Sequence, residues 1–127
     1  MVEQKAFETE KAAVLGGPYS QAIIHDGLIY VSGQGAIDPK TNEVTLGTIE
    51  KETTLAMENT RIILEEAGSS LDKILRVTVY LRHMKEYGRF NEVYRRYFKS
   101  VLPARTCVQV GNLPFGLRVE VSVTAYL

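Results

Sequence analysis

Twice along this chain the spacing of apolar residues changes from two to about 3.6 and back, and that switching limits the fold more than any motif does. From Thr48 onward, Ile49, Thr53, Ala56, Thr60, Ile63, Leu64 and Ala67 form one stripe. With Thr48 as N-cap and Gly68 as the stop, this spacing predicts a helix of about 20 residues. The next run, Ile74 to Arg82, alternates: as a strand it turns Leu75, Val77, Val79 and Leu81 toward the helices, and Arg76, Thr78, Tyr80 and Arg82 away. A second helical stripe over residues 85–100 carries Tyr87, Phe90, Tyr94, Tyr97, Phe98 and Val101. Aromatic residues at that spacing are core more often than a ligand platform, and they are read as core here.

Before the first helix, Ala22-Ile23-Ile24-His25 and Leu28-Ile29-Tyr30-Val31-Ser32 flank Asp26-Gly27, the strongest hairpin signal in the chain. A short edge strand is expected near Lys5–Thr9, and a turn at Asp38-Pro39-Lys40-Thr41-Asn42. After the second helix, Pro103–Val110 and Val119–Tyr126 both alternate. They are expected to form another hairpin, with Arg105, Cys107 and Gln109 on the same polar face as Glu120, Ser122 and Thr124. A register in which Cys107 lies opposite Glu120, and Arg105 opposite Ser122, follows from pairing residue 110 with 117.

The order strand, strand, strand, helix, strand, helix, strand, strand predicts one α+β domain over residues 1–127: a mixed β-sheet with two helices packed on one face. The other face, polar and carrying a thiol, favours self-association into a closed homo-oligomer. At 127 residues the chain can bury a core without disulfides or metals. Its single cysteine cannot form an internal disulfide, which fits a reducing compartment. Fifteen basic and fifteen acidic residues cancel and are interspersed, which counts against nucleic acid or an anionic membrane as partner. The first eleven residues carry Glu3, Glu8 and Glu10 and no long apolar run, so neither a signal peptide nor a membrane span is expected, and the cytoplasm is the default location. His25 has no second metal-type ligand nearby in sequence and reads as a surface residue.

From the residues alone, Arg105 either anchors an anionic ligand or makes a cross-strand or intersubunit ion pair with Glu120. Cys107 has no histidine near it in sequence to act as a base, so a pocket wall is a better reading than a nucleophile. Gly16-Gly17-Pro18 holds Tyr19 in a defined place, either packed on the core or lining a site. Ser32-Gly33-Gln34-Gly35 lets a ligand approach the backbone closely but has the spacing of neither a dinucleotide fingerprint nor a phosphate loop. Asn91, at the edge of the second stripe, suits a structural hydrogen bond.

Several stretches taken together point further: Gly17-Pro18-Tyr19-Ser20-Gln21-Ala22, Tyr30-Val31-Ser32-Gly33-Gln34, Asn59, Phe90-Asn91-Glu92-Val93-Tyr94, Pro103-Ala104-Arg105-Thr106-Cys107-Val108 and Val119-Glu120-Val121. In order and spacing they closely resemble the RidA (YjgF-like) family of enamine/imine deaminases, over nearly the whole length. The resemblance implies a chorismate-mutase-like fold and a homotrimer with three sites between neighbouring subunits. It implies hydrolysis of 2-aminoacrylate-type enamines or imines, released by pyridoxal-phosphate enzymes, to 2-keto acids and ammonia, without metal or cofactor. Arg105 would then hold the substrate carboxylate, Tyr19 would wall the pocket, and Glu120 would orient or activate water. Ser32, Gly33 and Cys107 would line the pocket, and Asn91 would support it. Gly35-Ala36-Ile37 stands where a bulky residue and a proline are usual, and Asn42 where glycine is usual, which bears on pocket size and substrate preference. A non-catalytic module binding keto acids or amino acids is the alternative. A ribonuclease or translation-inhibitor role, attached to some relatives, is opposed by the balanced charge.

Overall fold

The structure, a computed structural model, describes residues 3–127. Its strands are β1 (Lys5–Phe7), β2 (Ala22–His25), β3 (Leu28–Gln34), β4 (Ile74–Leu81), β5 (Ala104–Gln109) and β6 (Val119–Tyr126), with helices α1 (Ile49–Glu66) and α2 (Tyr87–Tyr94). They form one six-stranded sheet in the order β1-β2-β3-β6-β4-β5. Every pair is antiparallel except β4 and β5. The expected mixed sheet with two helices is therefore present, and so is the short first strand.

Local chemistry sets most of the boundaries. Asp26 and Gly27 both take positive φ, 50° and 80°, the backbone that a two-residue hairpin needs to match strand twist. The Thr48 side chain accepts from the Lys51 amide at the start of α1, a cap that stabilises by about 1 kcal/mol. Gly68, at φ 91°, turns the chain out of the helix. One face of α1, with Ile49, Ala56, Met57, Ile63 and Leu64 fully buried, packs on the inner face of the sheet, where Ile29, Val77, Val79, Val119, Val121 and Ala125 are equally buried.

Three expectations give way. The C-terminal hairpin does not form: β6 lies between β3 and β4, and β5 pairs with β4 in parallel at the sheet edge. Strand β6 buries alternate residues completely or nearly so, and a central position lets it pair on both sides. Strand β5 has no fully buried residue and arrives from α2 as a crossover connection, which makes it a parallel neighbour of β4. Leu75 is 48% exposed because the register shifts between Ile74 and Arg76, so Ile74 takes the buried place instead. The second helix is shorter than residues 85–100. Only Tyr87–Tyr94 is α-helical, with 3-10 turns at Met84–Glu86 and Arg95–Tyr97, and Val101 is 83% exposed.

Candidate functional site

The new strand order separates residues that alternation alone had grouped. In the parallel β4–β5 ladder Arg105 lies beside Val77, and Cys107 beside Val79. Partners in a ladder point the same way, so Arg105 and Cys107 share the helix-covered face. Glu120 lies beside Tyr80, on the open face. Arg105 and Glu120 thus stand on opposite sides of one sheet, with β4 between their strands, and among the described residues no ion pair joins them.

Tyr19, Ser32, Gly33 and Glu120 line a cavity of about 500 Å³ together with apolar Ile37, Phe115 and Leu117. Between Val31 and Gln34 the β3–β6 register slips by one residue, so Ser32 and Gly33 form a bulge that bends the strand at the site. The Ser32 hydroxyl donates to the Ser20 carbonyl at 2.6 Å, tying the bulge to the loop that carries Tyr19. A Cβ on Gly33 would overlap the Glu120 carboxylate, and a Cβ on Gly17 would overlap the Tyr19 ring. A side chain at either position would displace Glu120 or Tyr19 from its present place. Burial raises the Glu120 pKa above the ordinary carboxylate value, so this group holds a proton to higher pH than a surface glutamate does.

Arg105 borders a second cleft, of about 230 Å³, with Asn91, Tyr94, Leu102 and Pro103. Its guanidinium carbon sits 4.8 Å from the Tyr94 ring centroid, 5.5 Å from that of Tyr87 and 5.6 Å from that of Phe90. Its Nη2 donates to the Tyr87 hydroxyl at 3.0 Å. The aromatic stripe of α2 is thus partly a cage for an arginine: Phe90 and Tyr94 are core as expected, whereas Tyr87 is 40% exposed. No acidic side chain of the described residues lies within ion-pair distance of Arg105. Among the described residues, buried Asn91 Oδ1 and the Tyr94 hydroxyl find no hydrogen-bond partner, and burial pushes the Tyr94 pKa up to about 12. Cys107 is half-buried and packs against the core. Burial raises its thiol pKa more than the nearby Arg105 lowers it, which keeps it neutral and a poor nucleophile.

Three supporting residues had no assigned role in the sequence reading. Fully buried Asn59 accepts from the Ala13 amide at 2.9 Å and donates to the Ile37 carbonyl at 2.8 Å, fixing two walls of the larger cavity. An amide within an apolar helical stripe was the available signal. Buried Glu52 accepts from the Arg118 amide at 2.8 Å, and Arg118 donates to Glu86 at 3.0 Å, so α1 and the turn before α2 both hold the residue that leads into β6, two positions before Glu120. Asn59→Ala leaves a buried N–H and a buried C=O unpaired. It is expected to lower stability by about 2–4 kcal/mol, read as a fall in the urea midpoint.

No group of three or more potential metal ligands converges among the described residues, and no helix there is long and apolar enough to cross a membrane. Residues 9–127 match the protein family described as Endoribonuclease L-PSP. A RutC family protein of Pyrococcus abyssi is 46% identical over 118 residues, covering 93% of each chain. The mouse 2-iminobutanoate/2-iminopropanoate deaminase is 40% identical, over 96% of this chain and 90% of its own. In structure, a Rid family protein of unknown function from Yersinia pestis superposes with a TM-score of 0.95 at 37% identity, covering 98% of this chain and all of the other. A two-helix mixed sheet with a bulged third strand, matched in both sequence and shape, defines the class. This chain belongs to the YjgF/RidA family.

Proposed function

We propose that this protein is a deaminase that hydrolyses small 2-imino acids, and the enamines in equilibrium with them, to 2-keto acids and ammonia. The observation that carries this reading is Arg105, held in an aromatic cage with no carboxylate partner among the described residues. A planar guanidinium with free donors beside a cleft suits a substrate carboxylate. Relatives that bear the deaminase name at 38–40% identity support the chemistry.

Because Arg105 and Glu120 occupy opposite faces of one chain, the working site is assigned to the junction of two protomers of a homo-oligomer, a trimer by family resemblance. One copy contributes Arg105, Asn91 and Cys107. Its neighbour contributes Tyr19, Ser32, Gly33 and Glu120. The open face that would be covered carries Tyr30 and Val108, both large and exposed, which favours burial against another copy. With the carboxylate fixed, a water adds to the imine carbon. Glu120 takes one proton from that water and passes it to nitrogen, giving a carbinolamine; it then takes the remaining hydroxyl proton and delivers it to nitrogen as the C–N bond breaks, leaving a keto group and ammonia. The elevated proton affinity of Glu120 suits a group that must both accept and release.

The test is a coupled assay in which a pyridoxal-phosphate dehydratase acts on threonine. Added protein is expected to accelerate 2-ketobutyrate formation at least tenfold over spontaneous hydrolysis. No acceleration, combined with measurable 2-ketobutyrate binding, would favour a binding module instead.

A further inference from the structure

We infer that Tyr87 is a positioning residue that presents Arg105 to a substrate carboxylate without neutralising it, an assignment that rests on the proposed role of Arg105 as anchor. Tyr87 opens α2, is 40% exposed and is absent from the packed core. Its visible partner is the guanidinium. The hydroxyl accepts from Arg105 Nη2 at 3.0 Å, and the ring centroid lies 5.5 Å from the guanidinium carbon.

The acidic residues around this end of α2 are all engaged elsewhere. Glu50 is paired with Arg89 at 2.7 Å, Glu86 with Arg118 at 3.0 Å, and Glu92 faces Arg95 at 3.9 Å. Arg105 is left to neutral partners only. The difference matters chemically. A carboxylate holding Arg105 would compete with the substrate for the same donors and cancel the charge that attracts it. A phenol takes one of the five guanidinium N–H groups and leaves the charge and the other donors available. Phe90 and Tyr94 are buried in the core, so they brace the guanidinium from inside. Tyr87 restrains it on the solvent side, where an unrestrained arginine would sample many rotamers before binding.

Tyr87→Phe keeps the ring and removes the hydroxyl. It is expected to raise KM for 2-iminobutanoate, and Kd for 2-ketobutyrate by calorimetry, about five- to tenfold. The kcat should stay within about twofold, and Tm should not move, since nothing buried is lost. Tyr87→Glu places a carboxylate on Arg105 and is expected to weaken 2-ketobutyrate binding by at least about a hundredfold. Unchanged KM and Kd in Tyr87→Phe would overturn the assignment while leaving the anchor in place, as would tight binding by Tyr87→Glu. If the wild-type protein neither turns over the imine nor binds 2-ketobutyrate, the anchor and the role of Tyr87 fall together.

Discussion

Arg105→Ala is expected to lower kcat/KM for 2-iminobutanoate by about a thousandfold while the protein remains folded and assembled. The size follows from what the variant would lose. Truncating one side of a desolvated, hydrogen-bonded charge pair costs about 2–5 kcal/mol, and 4 kcal/mol corresponds to roughly a factor of a thousand in rate. The small cost to the fold follows from what Arg105 does not do. Among the described residues it closes no ion pair, and its side chain contributes one hydrogen bond and three ring contacts at a half-exposed edge strand. Cation–π contacts at such a partly exposed guanidinium are worth about 0.5–1 kcal/mol each. Arg105→Lys separates charge from geometry. It keeps the positive charge but cannot offer two parallel N–H groups, so a loss of about ten- to a hundredfold is expected. Steady-state kinetics with enzymatically generated imine, beside a thermal melt, checks both variants. Turnover at the wild-type level in Arg105→Ala would remove the anchor from the mechanism.

Alternation carried the correct parity within β5 and β6 but could not say which strands are neighbours. Arg105, Cys107 and Gln109 do share a face, and so do Glu120, Ser122 and Thr124. Placing the two sets together assumed that strands adjacent in sequence pair as a hairpin, and β4 displaces that pairing. A signal against the hairpin was present: residues 110–118 are long for a tight turn, and a strand, helix and strand in succession favour a parallel pair. The Asp26-Gly27 hairpin and the α1 boundaries were legible because they depend on local backbone chemistry, positive φ at the turn and a capping hydroxyl. Leu75 was misplaced because a single extra residue in a strand reverses its face. Tyr87 was misread because a helical stripe records which residues face the sheet, not whether an arginine from an edge strand occupies part of that face. The alternative of an Arg105–Glu120 ion pair within one chain is excluded by the same topology. What one sequence could not display is that its candidate site residues fall into two incomplete sets.

That division makes a second prediction independent of the first. Arg105→Ala and Glu120→Gln are each expected to be nearly inactive, the latter because an amide replaces the group proposed to relay protons, a contribution of about a hundred- to ten-thousandfold. If each site draws Arg105 from one protomer and Glu120 from its neighbour, mixing the two variants in equal amounts and letting subunits exchange creates some sites with both groups intact. For random reassociation, about one site in four takes its arginine side from a Glu120→Gln chain and its glutamate side from an Arg105→Ala chain. Activity is then expected to rise from the inactive baseline to about a quarter of wild type, a recovery of roughly fortyfold or more. Ion exchange can confirm that mixed oligomers form, because an Arg105→Ala chain and a Glu120→Gln chain differ by two units of net charge. Mixed oligomers without recovered activity would mean that no site combines residues from two chains. Since Arg105 and Glu120 lie on opposite faces of a single sheet, they could not then act on one substrate, and the deaminase reading would have to give up one of them.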